Sequence, residues 1–135
     1  EHSKDLCINN FKAENIANNT EFRKETASNL PIDLGVFDCI VSCLTFHEVQ
    51  DVDDKTVSID EALRHLKKGG KFIFIDLFQN PKFYPDPGKI EQVIASQRGI
   101  VTERIRLSEI MQLPFPLKHK RVLGHAELIA GRIVG

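Results

Sequence analysis

The sequence predicts an α/β domain, on three observations. Phe37 to Leu44 is a nearly continuous apolar run of strand length, bounded by Gly35 and by polar residues. A helical pattern from Val57 to Lys67 runs into Gly69-Gly70 and at once into a second apolar run, Lys71 to Phe78. Ile100 to Leu107 and Val122 to Val134 are two further extended stretches, close enough in sequence to pair antiparallel. Apolar runs of the first kind suit strands covered on both faces, as in a parallel sheet with helices above and below.

Each element has its own local reason. Ser3 caps a helix that opens with Lys4 and Asp5 and runs to about Ala17, where Asn18-Asn19 stops it. Glu21 to Glu25 reads as a short strand with Phe22 inward, followed by a loop through Leu30-Pro31. In the helix over 57–67, Ile59, Ala62, Leu63 and Leu66 share one face, and Ser58 with Glu61 has capping-box spacing. A glycine past the last turn takes a left-handed conformation at little cost, so Gly69-Gly70 ends that helix. Strand, helix, Gly-Gly and strand then form one β-α-β unit with two parallel neighbours and a right-handed crossover. Pro81, Pro85, Pro87 and Gly88 mark an irregular loop before a helix from about Lys89 to Gln97, which has Ile90, Val93 and Ile94 on one side. Ser108 to Leu113 forms a turn of helix between the two late strands. No repeat, linker or low-complexity tract interrupts this order, so one domain is expected.

Composition limits the function. With 41% hydrophobic and 27% charged residues the chain has an ordinary globular make-up. A net charge of -1 creates no global field toward nucleic acid or an anionic membrane, and the run Lys118-His119-Lys120-Arg121 reads as a solvated loop or strand start. No apolar stretch reaches the length of a membrane span, and Glu1 to Asp5 lacks the apolar core of a secretory signal. Without an initiator Met, the chain is expected to start partway into a gene product or to have been trimmed. Cys7, Cys39 and Cys43 cannot all pair and form no C-x-x-C motif, so buried thiols in a reducing cytoplasm are expected, without disulfides.

The strings FDCIVSCLTFHEVQD and EALRHLKKGGKFIFIDLF, preceded by EFRKETASNLP, resemble three ordered blocks of the class I S-adenosylmethionine-dependent methyltransferases. The resemblance covers the chain from the helix after that family's second strand to its last strand, and it is the order of all three blocks that makes it specific. It implies the C-terminal part of a Rossmann-like sheet with family strand order 3-2-1-4-5-7-6, ending in an antiparallel strand pair. Two departures stand out. No G-x-G-x-x-G loop, which lets backbone amides approach the methionine part of the cofactor, occurs in the 135 residues. Thr26 stands where the family most often has an Asp that binds the adenine amine. The expectation is a single partial domain, 1–135, without the first and second strands, whose Phe37–Cys43 strand keeps one partner and exposes an apolar edge for self-association.

The resemblance implies cofactor contacts at Thr26, Ala27, Cys43 and Leu44, and substrate contacts at Phe46, His47 and Asp76. The loop Leu44 to Val49 would lie at the carboxyl end of the sheet, where open α/β sheets bind ligands. His47 is the candidate catalytic residue, as a general base or acceptor contact, or else packs near the cofactor without moving a proton. Glu48 reads as a helix-start or solvent residue, and Asp51, Asp53 and Asp54 as a solvated acidic turn. His47-Glu48 begins like the zinc motif H-E-x-x-H, but Asp51 takes the place of the second histidine, so no metal is expected. The function implied is S-adenosylmethionine-dependent methyl transfer to an unidentified acceptor by the complete protein, with this chain alone inactive. The competing expectation is a degenerate, non-catalytic α/β module that associates through its open edge strand.

Overall fold

The computed structural model describes residues 4–135. Its order is α1 (Lys4–Ala13), β1 (Phe37–Cys43), α2 (Thr56–Arg64), β2 (Leu66–Asp76), α3 (Pro87–Ser96), β3 (Gly99–Arg106), α4 (Leu107–Ile110) and β4 (Glu127–Ile133), with short 3-10 turns between. The expected Ser3 cap of α1 lies outside the described residues.

One four-stranded sheet organises the chain in the order β1-β2-β4-β3. β1 and β2 are parallel through the α2 crossover, and β4 runs antiparallel to both β2 and β3. This is the arrangement that the resemblance implies for its last four strands, and the α/β class stands. The last strand in sequence lies inside the sheet, with Phe72 opposite Gly131 and Phe74 opposite Ile129. Gly131 is required there. A Cβ would lie 2.2 Å from the Ile100 carbonyl oxygen and 2.4 Å from the Phe72 ring.

The main core joins one sheet face to α2 and α3. Phe72, Phe74, Ile129 and Ile133 meet Ile59, Ala62 and Leu63 of α2 and Ile90 and Ile94 of α3. The opposite face stays open, with Val41 and Ile73 exposed. A second, smaller cluster of Leu77, Leu107 and Ala126 packs with Leu44, Phe83, Leu113 and Leu123 at the carboxyl end of β1 and β2.

Several local expectations are corrected. The helix expected to reach Ala17 ends at Ala13, and a separate 3-10 turn takes Ala17–Asn19. Glu21 to Glu25 forms no strand. The segment has no ladder beside it, and the one bridge nearby, between Thr26 and Asn29, lies just after it. The Phe37–Leu44 run is not covered on both faces either: β1 bonds to β2 alone and is exposed along most of its length. Cys39 and Cys43 are therefore exposed free thiols rather than buried ones, and Cys7 is half-buried.

α2 begins at Thr56, not Ser58, because the Asp54 carboxylate accepts from the Thr56 amide at 3.1 Å and its hydroxyl at 2.7 Å. Glu61, the expected capping partner, accepts instead from the Leu30 amide at 3.2 Å. The helix stops at Arg64, before Gly69-Gly70. Those glycines form an irregularity inside β2, where the pairing jumps from Phe37↔Leu66 to Cys39↔Lys71 and Gly69 has φ +80°. Asp86 caps α3 by accepting from the Gly88 amide, with Pro87 in the first turn.

Candidate active site

The site grows from the turn after β1. Leu44 has φ +53°, a left-handed conformation that costs a branched residue roughly 1–2 kcal/mol, and its amide donates to the Ile75 carbonyl at 2.7 Å. That kink sends the chain into a 3-10 turn, Phe46–Glu48, lying over the end of β2. Lys55 holds the next stretch by donating to the carbonyls of Val49 and Val52. Phe46 turns inward and packs edge-on against Phe74, with ring centroids 5.1 Å apart.

Asp76 organises His47. It has no exposed surface, and its carboxylate accepts from the His47 amide at 3.1 Å and from the Leu77 amide at 2.7 Å. The third partner is His47 Nδ1, in a short contact with Asp76 Oδ1. An ionised carboxylate sets a proton on Nδ1, which leaves Nε2 as the nitrogen for chemistry. Nε2 lies 3.1 Å from Glu48 Oε1, and the Glu48 side chain is 71% exposed. The Phe83 ring covers the imidazole at a centroid distance of 5.1 Å. Tyr84 follows, with a buried hydroxyl that makes no hydrogen bond. Burial, then the negative charge of Asp76, push the Tyr84 pKa well above its ordinary value.

Two hollows flank this centre. One of about 440 Å³ is lined by Thr26, Ala27, Thr45, Glu48, Gln50 and Asp51. The other, of about 480 Å³, lies between the β1–α2 and β2–α3 connections and includes Asp54, Phe83, Tyr84 and Lys89. His47 touches a residue lining each of them, Glu48 on one side and Phe83 on the other.

In the first hollow the hydroxyls of Thr26 and Ser28 donate to Asp51 Oδ2 at 2.8 and 2.6 Å. The bonds from Ser28 and then Thr26 hold the Asp51 carboxyl below its ordinary pKa. Asp54 is also lowered: burial opposes this, but bonds from Lys89 and Thr56 outweigh it.

The structure thus brings His47 and Asp76 together, and Thr26 and Ala27 with Asp51 in one hollow. Cys43 and Leu44 line neither hollow, and Leu44 joins the small apolar cluster. Among the described residues no three His, Cys, Asp or Glu side chains converge where a metal ion could sit. The acidic turn read as merely solvated is engaged at Asp51 and Asp54. Its partners Thr26 and Lys89 lie 25 and 35 residues away, where local sequence gives no signal.

A family model described as a methyltransferase domain matches residues 3–74, more than half of the chain. A search of curated protein sequences gives no match. Solved structures match in fold at low identity. StiE O-MT, residues 961–1257, is 16% identical with a TM-score of 0.68, covering 96% of this chain and 55% of that one. The geranyl diphosphate C-methyltransferase of Streptomyces coelicolor A3(2), solved with Mg2+, geranyl diphosphate and S-adenosyl-L-homocysteine, is 16% identical with a TM-score of 0.66, covering 96% and 60%. The (4+2)-cyclase SpnF is 12% identical with a TM-score of 0.69, covering 97% and 62%. The chain therefore spans little more than half the length of these structures. Matched by sequence over its first half and by fold throughout, the chain belongs to the methyltransferase domain family.

Proposed function

We propose that the chain is part of an S-adenosylmethionine-dependent methyltransferase, in which His47 takes a proton from the methyl acceptor. The observation that carries this reading is a histidine oriented by a buried carboxylate and in contact with Glu48 and Phe83, which line two separate hollows. The cofactor, when bound, supplies an activated methyl group, so the protein's task is to align the acceptor and exclude water.

The hollow at Thr26 fits one end of that cofactor. Thr26 and Ser28 oxygens and the Asp51 carboxylate form an acceptor-rich wall for an exocyclic amine, with Asp51 replacing the charge that Thr26 lacks. Ala27 lines the same hollow, and Cys43 and Leu44 flank it at the strand end. No glycine-rich loop in this sequence answers to the methionine end. The partial-domain reading, 1–135 without the first two strands, rests on that mismatch, and on this reading the chain alone is inactive.

The second hollow takes the acceptor. Phe83 separates His47 from that hollow, and Nε2 faces Glu48. Nε2 therefore accepts the acceptor's proton where the acceptor extends past Phe83 toward the first hollow and the exposed Glu48 side chain turns to solvent, while Asp76 keeps Nδ1 protonated. Asp76 acts as a positioning residue, since its oxygens are already engaged. Phe46 supports the turn from the core. A small-molecule acceptor suits a hollow of this size, and three free cysteines suit the cytoplasm.

Titration of the 15N-labelled chain with S-adenosylhomocysteine tests the cofactor end. Shifts confined to Thr26, Ala27, Gln50 and Asp51, weakened by Asp51→Asn, are expected. Unperturbed resonances there would refute the assignment. The non-catalytic alternative draws on the unpaired β1 edge, where Val41 is 68% exposed. A stable oligomer that neither binds the cofactor product nor survives Val41→Lys would favour it.

A further inference from the structure

The segment between β3 and β4 is an ordered loop that presents the wrong side chains to water. Leu113 and Leu123 root its two ends in the small apolar cluster with Leu77, Leu107 and Ala126. Between them it closes on itself: the Lys118 amide donates to the Pro114 carbonyl at 3.2 Å, His119 to Pro116 at 3.0 Å and Leu123 to Leu117 at 2.9 Å. Gly124 completes the closure, because a Cβ there would lie 2.7 Å from the Lys118 carbonyl oxygen. Yet every residue from 114 to 122 is exposed. Phe115 is 77% exposed, and Ile110, Met111, Leu117 and Val122 are exposed beside it.

Cations accompany these apolar side chains. Lys118, Lys120 and Arg121 lie on the same loop, and among the described residues no carboxylate pairs with them. The chain as a whole carries -1, so the loop is a local positive site on a near-neutral molecule. Large apolar groups projecting beside unpaired cations match one environment well: the interface of an anionic bilayer, where rings and aliphatic chains enter the acyl boundary and ammonium and guanidinium groups meet phosphate. A nucleic acid would use the cations and stack a base on Phe115, but it would leave Leu117, Met111 and Val122 in water.

We propose that the Leu113–Leu123 loop docks this protein on an anionic lipid surface. The roots of the loop pack in the cluster that holds Leu44 and Phe83, and Phe83 covers His47. Docking therefore sets the His47 end of the sheet toward the bilayer.

The chain contains no Trp, so Phe115→Trp makes a single-site reporter. Its emission is expected to shift to the blue on adding vesicles of phosphatidylcholine mixed with phosphatidylglycerol, and to stay unchanged with phosphatidylcholine alone. Replacing Lys118, Lys120 and Arg121 together by Gln is expected to lower partitioning about 100-fold, about fivefold for each cation. Phe115→Ser with Leu117→Ser, which removes the reporter and is read by co-sedimentation with the same vesicles, is expected to lower it by about tenfold or more, with circular dichroism confirming the fold. Four results would overturn the proposal: no shift with anionic vesicles, a shift that follows protein concentration without lipid, binding indifferent to the three Gln substitutions, or binding abolished by Val41→Ser instead. S-adenosylhomocysteine titration is independent of all four, so failure here leaves the methyltransferase reading where it stood.

Discussion

Asp76→Asn separates the carboxylate's job from its shape. Asp76 accepts from the amides of His47 and Leu77 and from His47 Nδ1, with no exposed surface to bring in water. Asparagine fills the same volume but offers one oxygen and one NH2 group. If its oxygen stays with Leu77 and Nδ1, the NH2 faces the His47 amide, donor against donor. Flipped, it faces the Leu77 amide instead. Either way one buried backbone N–H loses its acceptor, at about 1–3 kcal/mol. The remaining bonds weaken as they become neutral, but a buried carboxylate no longer has to be desolvated, and these opposite changes largely cancel. The expected net loss is therefore about 1–3 kcal/mol, read as a lower urea midpoint with an unchanged slope. Leu77, with the shorter bond, is expected to keep its acceptor, so faster hydrogen exchange should appear at the His47 amide. Unchanged or higher stability, with His47 still protected, would refute the account of Asp76 as the anchor of this turn.

Three other outcomes follow from burial and charge. Ile59→Ala removes a fully buried side chain between α2 and the sheet and is expected to cost about 2–5 kcal/mol; Val41→Ser, on the open face, should stay within about 0.5 kcal/mol by the same urea assay. Asp51 and Asp54 have folded-state pKa values below 3.8, so the stability they contribute is complete above that pH and is lost as pH falls below it through the folded values. Acid unfolding followed by circular dichroism should therefore begin at higher pH once Asp51→Asn removes the carboxylate charge and leaves only weaker, neutral bonds from Thr26 and Ser28.

Elements with strong local signals were legible in the sequence. The β-α-β unit appears as two apolar runs around an amphipathic helix, and the late antiparallel pair is legible too, although the stretch expected from Val122 becomes strand only at Glu127, after a turn. The errors share a cause: they depend on what lies beside a segment, which no local pattern encodes. Glu21 to Glu25 has strand composition but no neighbouring ladder, and Phe37 to Cys43 has core composition at an edge. Ser58 has a cap's spacing yet sits inside α2, because Asp54 reaches Thr56 first. At the site, His47 was visible from its place after a strand. Its pairing with Asp76 joins the ends of two parallel strands, so it became visible only once the sheet was in register. The bridge from Thr26 to Asp51 had no local trace at all.

The position of β4 bears on how the chain is made. Of these four strands, the one synthesised after the other three, Glu127–Ile133, is the one that joins β2 to β3. At 5–20 residues per second the roughly 50 residues between Asp76 and Glu127 take about 3–10 s to emerge. Through that interval the inner edge of β2 waits without a partner on the ribosome, with Phe72 and Phe74 beside it. A nascent chain halted between Asp76 and Glu127 would display that edge, so the apolar β2 stays open to wrong partners until Glu127–Ile133 has emerged.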